Sequence, residues 1–252
     1  MSTRTVLIAG LGLIGGSAGM ALRRRGWTVR YLDPHVALDD AQRAGAADAR
    51  AETLDSAELL LLATPVDIAI EQLRSVHSSG VVTSACSVMR PLRDAAPGGV
   101  TFISGHPLAG SHERGLGAAR ADLFEGKRWF VDGDDPFVDE LVRDCGAVRE
   151  RVGAAEHDAA VALTSHLPQI LSTALAAHLQ RQRGDLLRFA GTGLETFLRL
   201  AGSSAEVWQP VIDSNRDNLE PHADAVAEIV RNILRGDSAS IFADAQQFRK
   251  TQ

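Results

Sequence analysis

The N-terminal segment TVLIAGLGLIGG constrains the fold more than any other part of this sequence. Residues 5–9 are a short apolar run of the kind that forms a buried strand. Gly10, Gly12 and Gly15 follow at once as G-x-G-x-x-G, and a helical pattern begins within them. In this context the three glycines allow a tight turn, the approach of a pyrophosphate to the backbone, and close packing of helix against strand. The segment therefore predicts a dinucleotide-binding fold.

An acidic residue follows the glycines at the distance expected for ribose recognition. A second strand pattern, residues 28–32, ends at Asp33, about 20 residues after the glycines. A carboxylate there binds the ribose hydroxyls of NAD and repels the 2′-phosphate of NADP, so we expect NAD as the cofactor. The alternative is that Asp33 only forms a turn with Pro34. The residues predicted to bind the cofactor are Gly10, Gly12, Leu13, Ile14, Gly15, Asp33, Thr64 and Pro65.

Short apolar runs continue to alternate with helical patterns through the first half of the chain. Further strand patterns occur at 59–63, 81–83, 101–104, 129–131 and, at an edge, 149–152. Such alternation predicts an α/β fold with a doubly wound, mostly parallel sheet of the Rossmann type. Because loops at the carboxyl ends of parallel strands converge, we expect residues 64–67, residues 84–87 and His106 near the nicotinamide end of the cofactor.

The segment GHPLAGSHERG, residues 105–115, contains the candidate catalytic residue, His106. It precedes Pro107, which disfavours a helix, and it follows the strand pattern GVTFISG. We therefore expect His106 on a loop at a strand end, where α/β enzymes hold catalytic groups. An imidazole at such a place can accept a proton near neutral pH. The alternative is a histidine that only forms hydrogen bonds within its loop.

After residue 152 the patterns are helical. The segment 156–180 is apolar nearly all round, which is typical of a helix buried on most faces and, in a small domain, of contact with a partner subunit. Pro168 is expected to bend this helix and to leave the carbonyl of Thr164 without its amide donor. We expect the bend to expose His166 to a cleft, the alternative being a histidine of the core.

The domain boundary is predicted near residue 152, with a dinucleotide-binding domain over 1–152 and an all-α domain over 153–252. Within the second domain Arg199 lies in the mostly apolar segment GLETFLRLA. An arginine in such surroundings is expected to bind an anion, and the alternative is an ordinary surface arginine.

Composition narrows the class of protein. The chain has 252 residues, 45% of them hydrophobic, a net charge of −6 and a mean hydropathy of −0.03. Interspersed acids and bases argue against nucleic acid or an anionic membrane as the partner. Two cysteines cannot form a disulfide framework, and the absence of any Cys/His cluster in the sequence predicts no metal site. Because the N-terminus enters a strand pattern directly, without a cleavage-site pattern, we expect a cytoplasmic protein.

Several of these segments together resemble the prephenate/arogenate dehydrogenase family. The matching pieces are GLGLIGGS, ATPVD at 63–67, GHPLAGSHERG at 105–115, LF at 123–124, HD and then SHLP between 157 and 168, and SAEVWQPVIDSN at 204–215. The resemblance implies a Rossmann-type domain, a helical dimerisation domain, and a homodimer formed through the C-terminal helices. It also implies oxidative decarboxylation of prephenate, an anionic small molecule, to 4-hydroxyphenylpyruvate in tyrosine biosynthesis, with hydride transfer to NAD.

The resemblance further implies roles for individual residues. His106 would bond and polarise the ring hydroxyl during hydride transfer, and Ser87 would orient either His106 or that hydroxyl. His166 would face the substrate, and Arg199 would hold a substrate carboxylate. Ser111, in the same segment as His106, would lie near the ligand.

Two departures from the family pattern keep other functions open. Many members read D-x-G-S-V-K where residues 84–89 of this chain read SACSVM, so that the aspartate is missing and Met89 replaces a lysine. Glu195 stands where an aspartate is common; an acid there favours the ammonium group of arogenate, or is only a helix N-terminal charge. The alternatives are an arogenate dehydrogenase, an aminodeoxyprephenate dehydrogenase, a β-hydroxyacid dehydrogenase or imine reductase of the same plan, and a non-catalytic NAD-binding sensor.

Overall fold

A computed structural model describes residues 4–55, 57–111, 113–182 and 186–251. The chain divides into two compact units, one of residues 1–159 with 202–214 and the other of residues 160–201 with 215–252. The first unit thus includes a segment that is remote in sequence from the rest of it. The domain ranges 1–152 and 153–252 stay a prediction.

A parallel sheet forms the centre of the first unit. Its strands are β1 (Thr5–Ala9), β2 (Thr28–Leu32), β3 (Ala49–Arg50), β4 (Leu59–Leu62), β5 (Val81–Ser84) and β6 (Thr101–Ile103). They lie in the order β3-β2-β1-β4-β5-β6, and each neighbouring pair is parallel. This is the strand order of doubly wound dinucleotide-binding folds, so the predicted α/β class is confirmed.

Helices follow most of these strands and continue to the end of the chain. In chain order they are α1 (Leu13–Arg24), α2 (Leu38–Arg43), α3 (Val66–Ser75), α4 (Arg90–Ala95), α5 (Pro136–Asp144), α6 (Ala154–Val161), α7 (Leu167–Arg181), α8 (Thr192–Leu198), α9 (Ala205–Ser214), α10 (Arg216–Arg235) and α11 (Ala239–Lys250). Strand and helix alternate through α4, and from α6 onward the described residues contain helices and no strand. This confirms the predicted order of an α/β part and a helical part.

Both faces of the parallel sheet are buried. Along β1, Val6 and Ile8 belong to one hydrophobic cluster and Leu7 and Ala9 to the other, because successive side chains of a strand point to opposite faces. The sequence LLLL of β4 is buried at every position, as expected for a strand covered on both sides. Val211 of α9 joins the second cluster, which explains why residues 202–214 belong to this unit.

The turn between β1 and α1 depends on its glycines. Gly10 has φ = 85°, a conformation that favours glycine. A Cβ atom on Gly15 would lie 1.9 Å from the carbonyl oxygen of Gly10, whereas one on Gly12 would meet nothing within 4 Å. Gly15 therefore allows the helix to pack closely on the turn, and Gly12 keeps the backbone open on its outer side.

A second, smaller sheet continues from β6. It contains β7 (Gly105–Pro107), β8 (Arg128–Val131) and β9 (Val148–Arg151), with β7 antiparallel and β9 parallel to β8. His106 pairs with Phe130 in this sheet, so the expectation that it lies on a loop is wrong. The chain leaves the parallel sheet at Ser104, whose amide donates to Asp132 at 2.8 Å, and becomes a strand again at once.

In the second unit a π-helical turn, Ala162–His166, precedes α7 and its proline. This wider turn lies where proline cannot donate to the carbonyl of Thr164, as expected, and the bend itself stays a prediction. The hydroxyl of Thr164 donates to the carbonyl of Ala160 at 2.9 Å.

Much apolar surface of the second unit is not covered by its own chain. In α7 the buried residues are Leu167, Gln169 and Ser172, fewer than its apolar pattern predicts. The helical segment Ala154–Arg181 is long and apolar enough to cross a membrane. Core helices of soluble proteins meet the same two criteria of length and composition. The large exposed apolar side chains of this unit include Leu163, Phe189, Phe197, Ile229, Val230, Leu234, Phe242 and Phe248.

We predict that Gly15→Ala lowers the free energy of unfolding by about 1–3 kcal/mol, because the added methyl group overlaps a backbone oxygen and forces a shift. Gly12→Ala is the matched control, since its methyl group enters open space. Urea denaturation of both variants measures the difference. Equal stability of the two variants would contradict the packing described for this turn.

Candidate active site

Two cavities meet where the strand order reverses, beside the carboxyl ends of β1 and β4. The larger, about 630 Å³, is lined by Asp33 and His35 among others. The smaller, about 420 Å³, is lined by residues that follow β4 and β5. Gly12 and Gly115 line both cavities, so the two are adjacent at the glycine turn. Such a switch point is where open α/β sheets bind their ligands.

Asp33 is held in a fixed orientation at the end of β2. One of its carboxylate oxygens accepts a hydrogen bond from the amide of Leu11 and the other from the amide of His35, each at 2.8 Å. Each oxygen keeps a lone pair that can accept from a ribose hydroxyl. The structure thus places Asp33 in the larger cavity, where the adenosine half of a dinucleotide would lie.

The remaining predicted cofactor residues surround the same turn. Gly10 and Gly15 shape it, and the open backbone at Gly12 faces both cavities. The first amides of α1 carry the positive end of the helix dipole, which favours phosphate. The fold therefore fits a bound dinucleotide, and individual contacts stay predictions. The predicted residues that line the smaller cavity are Gly12, Leu13, Ile14, Thr64 and Pro65.

Ser87 and Ser111 both line the smaller cavity. Ser87 is half-buried, and Ser111 is exposed, with its hydroxyl accepting from the amide of Glu113 at 3.1 Å. Cys86, part of the departure from the family pattern, also lines this cavity, and burial raises the pKa of its thiol to about 12. Cys86 is therefore a neutral thiol at physiological pH and introduces no charge beside Ser87.

His106 begins a buried chain of hydrogen bonds. Its Nδ1 lies 2.9 Å from Nε2 of His157, and the two rings meet edge to face. Nδ1 of His157 lies 2.8 Å from an oxygen of Asp158. His157 and Asp158 are 2% and 0% exposed, whereas His106 is half-buried. His106 is thus connected by hydrogen bonds to a buried second imidazole and, through it, to a buried carboxylate.

Backbone amides hold the carboxylate at the far end of this chain. The two oxygens of Asp158 accept from the amides of Met89 and Arg90, each at 2.8 Å. A carboxylate can only accept, so Nδ1 of His157 carries the proton that is donated to Asp158. In the neutral ring of His157, Nε2 is then an acceptor. His106 then donates through Nδ1, and its Nε2 carries the lone pair. The chain therefore fixes the tautomer of His106 that can accept a substrate proton at Nε2.

The same contacts tie the turn of Ser87 to the strand of His106. The hydroxyl of Ser104 donates to the carbonyl of Met89 at 3.3 Å. The hydroxyl of Ser84 accepts from the amide of Gly105 at 3.1 Å and donates to its carbonyl at 3.2 Å. The side chain of Met89 is fully buried, and only its backbone serves this network. The replacement of the family's lysine by Met89 leaves these backbone contacts in place.

Sequence reasoning missed His157 and Asp158 as functional residues. They were noted only as the HD pair of the family pattern. The available signal was a histidine and an aspartate, side by side, at the start of an otherwise apolar helical segment. Their contact with His106 spans 51 positions in sequence, which residue periodicity cannot indicate.

The other two predicted substrate residues belong to the second unit. His166 is 1% exposed, so the expectation that the bend exposes it to a cleft is wrong. Its Nδ1 lies 3.2 Å from the side-chain nitrogen of the buried Asn215. Arg199 is exposed at the end of α8, and Glu195 is exposed in the first turn of that helix. The cavities bring Ser87 and Ser111 together with the cofactor residues, and the roles of His166 and Arg199 stay predictions.

Comparison with known proteins gives the family. The nucleotide-binding domain model of prephenate dehydrogenase matches residues 18–154, and the dimerization domain model matches residues 153–239. The chain belongs to the prephenate dehydrogenase family. The resemblance drawn from the sequence is confirmed, and with it the class of enzyme, a dehydrogenase.

Individual members of the prephenate dehydrogenase family match most of the chain. The sequence is 29% identical to the prephenate dehydrogenase of Bacillus subtilis, over 91% of this chain and 68% of that protein. It is 32% identical to a probable prephenate dehydrogenase of Streptomyces niveus, over 94% and 71%. The crystal structure of A. aeolicus prephenate dehydrogenase with hydroxyphenyl propionate and NAD+ has the same fold, with a TM-score of 0.82, 24% identity, and coverage of 100% of this chain and 98% of that one.

We predict that His157→Phe lowers kcat roughly tenfold or more, because orientation of the base is a large part of general base catalysis. The phenyl ring keeps the contact with Phe130, which now packs on His157 with centroids 5.5 Å apart, but removes both hydrogen bonds. The substrate KM and the Kd of NADH should stay within about twofold.

The matched control for this variant is His77→Phe, at an exposed histidine of the same unit. Steady-state kinetics, with melting temperatures recorded for both variants, make the comparison. An unchanged kcat in a folded His157→Phe protein would remove His157 from the catalytic machinery.

Proposed function

We propose that this chain catalyses the NAD-dependent oxidative decarboxylation of prephenate to 4-hydroxyphenylpyruvate, a step of tyrosine biosynthesis. The observation that carries the proposal is the hydrogen-bond chain His106–His157–Asp158. Its carboxylate is held by the amides of Met89 and Arg90, just after Ser87, which lines the smaller cavity. A protein that only senses NAD transfers no proton, so it does not need a histidine whose tautomer is fixed by a buried carboxylate. This chain of residues therefore favours catalysis.

The reaction needs a base and an aligned hydride acceptor. NAD, when bound, accepts the hydride that leaves the ring carbon bearing the hydroxyl. Nε2 of His106 takes the proton of that hydroxyl as the carbonyl forms. The bond to the ring carboxylate then breaks, carbon dioxide leaves, and the electron pair of that bond makes the ring aromatic. The resulting phenolate regains the proton from His106, so the base is restored.

The charge that develops on His106 has a partner inside the protein. When His106 is protonated, its Nδ1 proton still points at His157, which in turn donates to the carboxylate of Asp158. A preorganised carboxylate of this kind stabilises an imidazolium as it forms, without reorganisation at the moment of reaction. We assign the catalytic role to His106, with Ser87 orienting the hydroxyl from the smaller cavity.

The substrate carries carboxylates that need cationic partners. We assign one of them to Arg199, whose guanidinium is exposed and can form a bidentate pair with a carboxylate. His166 is assigned to the substrate side of the second unit, and Ser111 to the ligand-facing edge of the smaller cavity. These three assignments follow the family pattern.

The assembly follows from the apolar surface of the second unit. We propose a homodimer formed through the C-terminal helices, supported by the dimerization domain model over residues 153–239 and by exposed side chains such as Leu234 and Phe248. A dimer that buries this surface accounts for an apolar helix that its own chain leaves partly uncovered. We propose a cytoplasmic location, with neither nucleic acid nor a membrane as a partner.

Arogenate is the second candidate substrate. Glu195 and Arg199 are both exposed and stand four positions apart along the same helical segment. Residues at that spacing are neighbours on a helix surface, so together they offer an anion and a cation. That pair matches the ammonium and carboxylate groups of an amino acid side chain, whereas prephenate has a keto group in place of the ammonium.

The test is NADH production with prephenate and with L-arogenate in parallel, each with NAD and with NADP. We expect the highest kcat/KM for prephenate with NAD, since Asp33 disfavours the 2′-phosphate of NADP. A higher kcat/KM for arogenate would transfer the assignment to that substrate. Turnover of neither compound by protein that still binds NADH would contradict the proposed reaction.

A further inference from the structure

The segment after β7 returns to the cofactor turn. Glu113, Arg114 and Gly115 line the smaller cavity, and Gly115 lines the larger one as well. Because Gly12 is the other residue that lines both cavities, Gly115 lies near the glycine turn that is predicted to bind the phosphates. The pyrophosphate of a dinucleotide joins its two halves at this place. Arg114 is therefore next in sequence to a residue that would lie near the phosphates of a bound dinucleotide.

Contacts with α1 hold this segment in place. Gly115 has φ = 71°, which turns the chain sharply into a 3-10 turn, Leu116–Ala118. A Cβ atom on Gly16 would lie 2.8 Å from a methyl carbon of Leu116, so the absence of a side chain at Gly16 makes room for this contact. The hydroxyl of Ser17 accepts from the amide of Arg120 at 3.0 Å. Arg114 therefore projects from an anchored segment.

The charge of Arg114 is not neutralised by an ion pair within the described residues. Its side chain is exposed, and no carboxylate among the described residues forms an ion pair with it. It is the only arginine or lysine among the described residues that line the smaller cavity. Glu113 lines the same cavity, and its backbone amide donates to Ser111. The first turn of α1 carries no charged side chain, so it attracts phosphate through its backbone alone.

We propose that Arg114 binds an anionic group of the ligand in this cavity, and that this group is the pyrophosphate of the dinucleotide. A guanidinium matches phosphate oxygens with two parallel hydrogen bonds and keeps its charge at any physiological pH. It would supply the side-chain cation that the glycine turn lacks. The inference rests on the proposed function only for the identity of the substrate.

A substrate carboxylate is the other possible source of the anion. The ring carboxylate is an unsuitable partner, because it leaves as neutral carbon dioxide and a cation there would stabilise the ground state more than the transition state. The side-chain carboxylate is already assigned to Arg199. The cofactor phosphates therefore remain the group that best matches the position of Arg114 beside Gly115.

The experiment is a fluorescence titration of NADH in the absence of substrate. Arg114→Ala is compared with Arg114→Lys and with Arg120→Ala. Arg120 is a matched control because it lies in the same segment, its side chain is 62% exposed and paired with Asp122 at 3.6 Å, and it lines neither cavity. The KM for prephenate at saturating NAD is measured in parallel.

We expect Arg114→Ala to raise the Kd of NADH about tenfold at low salt, which corresponds to about 1.4 kcal/mol. Arg114→Lys should recover part of that affinity, and the loss should shrink as salt screens the pair. Arg120→Ala should change the Kd less than twofold. The Kd of NADH is measured without turnover, so this test does not depend on whether prephenate is the substrate.

Two other outcomes would contradict the proposal. A raised KM for prephenate with an unchanged Kd of NADH would overturn the assignment to the pyrophosphate and identify a substrate carboxylate as the anion that Arg114 binds. If neither constant changes, or if Arg120→Ala weakens NADH as much as Arg114→Ala does, the proposal is overturned. The second pattern would show that total charge alone, and no local contact, sets the affinity.

Discussion

The buried carboxylate of Asp158 is the interaction on which the rest of the site depends. It accepts from the amides of Met89 and Arg90 and from the ring of His157. A buried charge of this kind is tolerated only with several such donors, so the segments that supply them are held together. One carboxylate thereby fixes the turn of Ser87, the start of α4 and, through His157, the tautomer of His106.

On the cofactor side of the site the backbone of the glycine turn determines the shape, whereas on the catalytic side hydrogen bonds between side chains do. Gly10 and Gly15 let the turn close, and Gly12 leaves it open outward. Asp33 is oriented by two amides in the same way as Asp158 is. In both places a carboxylate is fixed by main-chain donors, and the chemistry or the ligand recognition is left to its remaining lone pairs. The glycine turn has no charged side chain, and we propose that Arg114 supplies the cation for the pyrophosphate.

Local patterns predicted the parallel sheet, because a strand followed by G-x-G-x-x-G and a helix is encoded in adjacent residues. They also predicted that Thr64 and Ser87 lie near each other, since loops at one sheet edge converge, and both line the smaller cavity. Ser111, which lines it too, was predicted from the family resemblance alone. The strand at His106 was not predicted, because its partner, Phe130, lies in a later segment. The same reason explains the missed contact of His106 with His157. Long-range pairing of short segments leaves no periodic signal in either of them.

The most direct test of the account is turnover by His106→Asn, measured together with the Kd of NADH. Asparagine keeps a polar side chain at this position but cannot take the hydroxyl proton. We predict that His106→Asn lowers kcat by roughly a hundredfold or more, which is the usual contribution of a general base. The Kd of NADH should stay within about twofold. Turnover within a few-fold of the unaltered protein would contradict the central claim that His106 is the base.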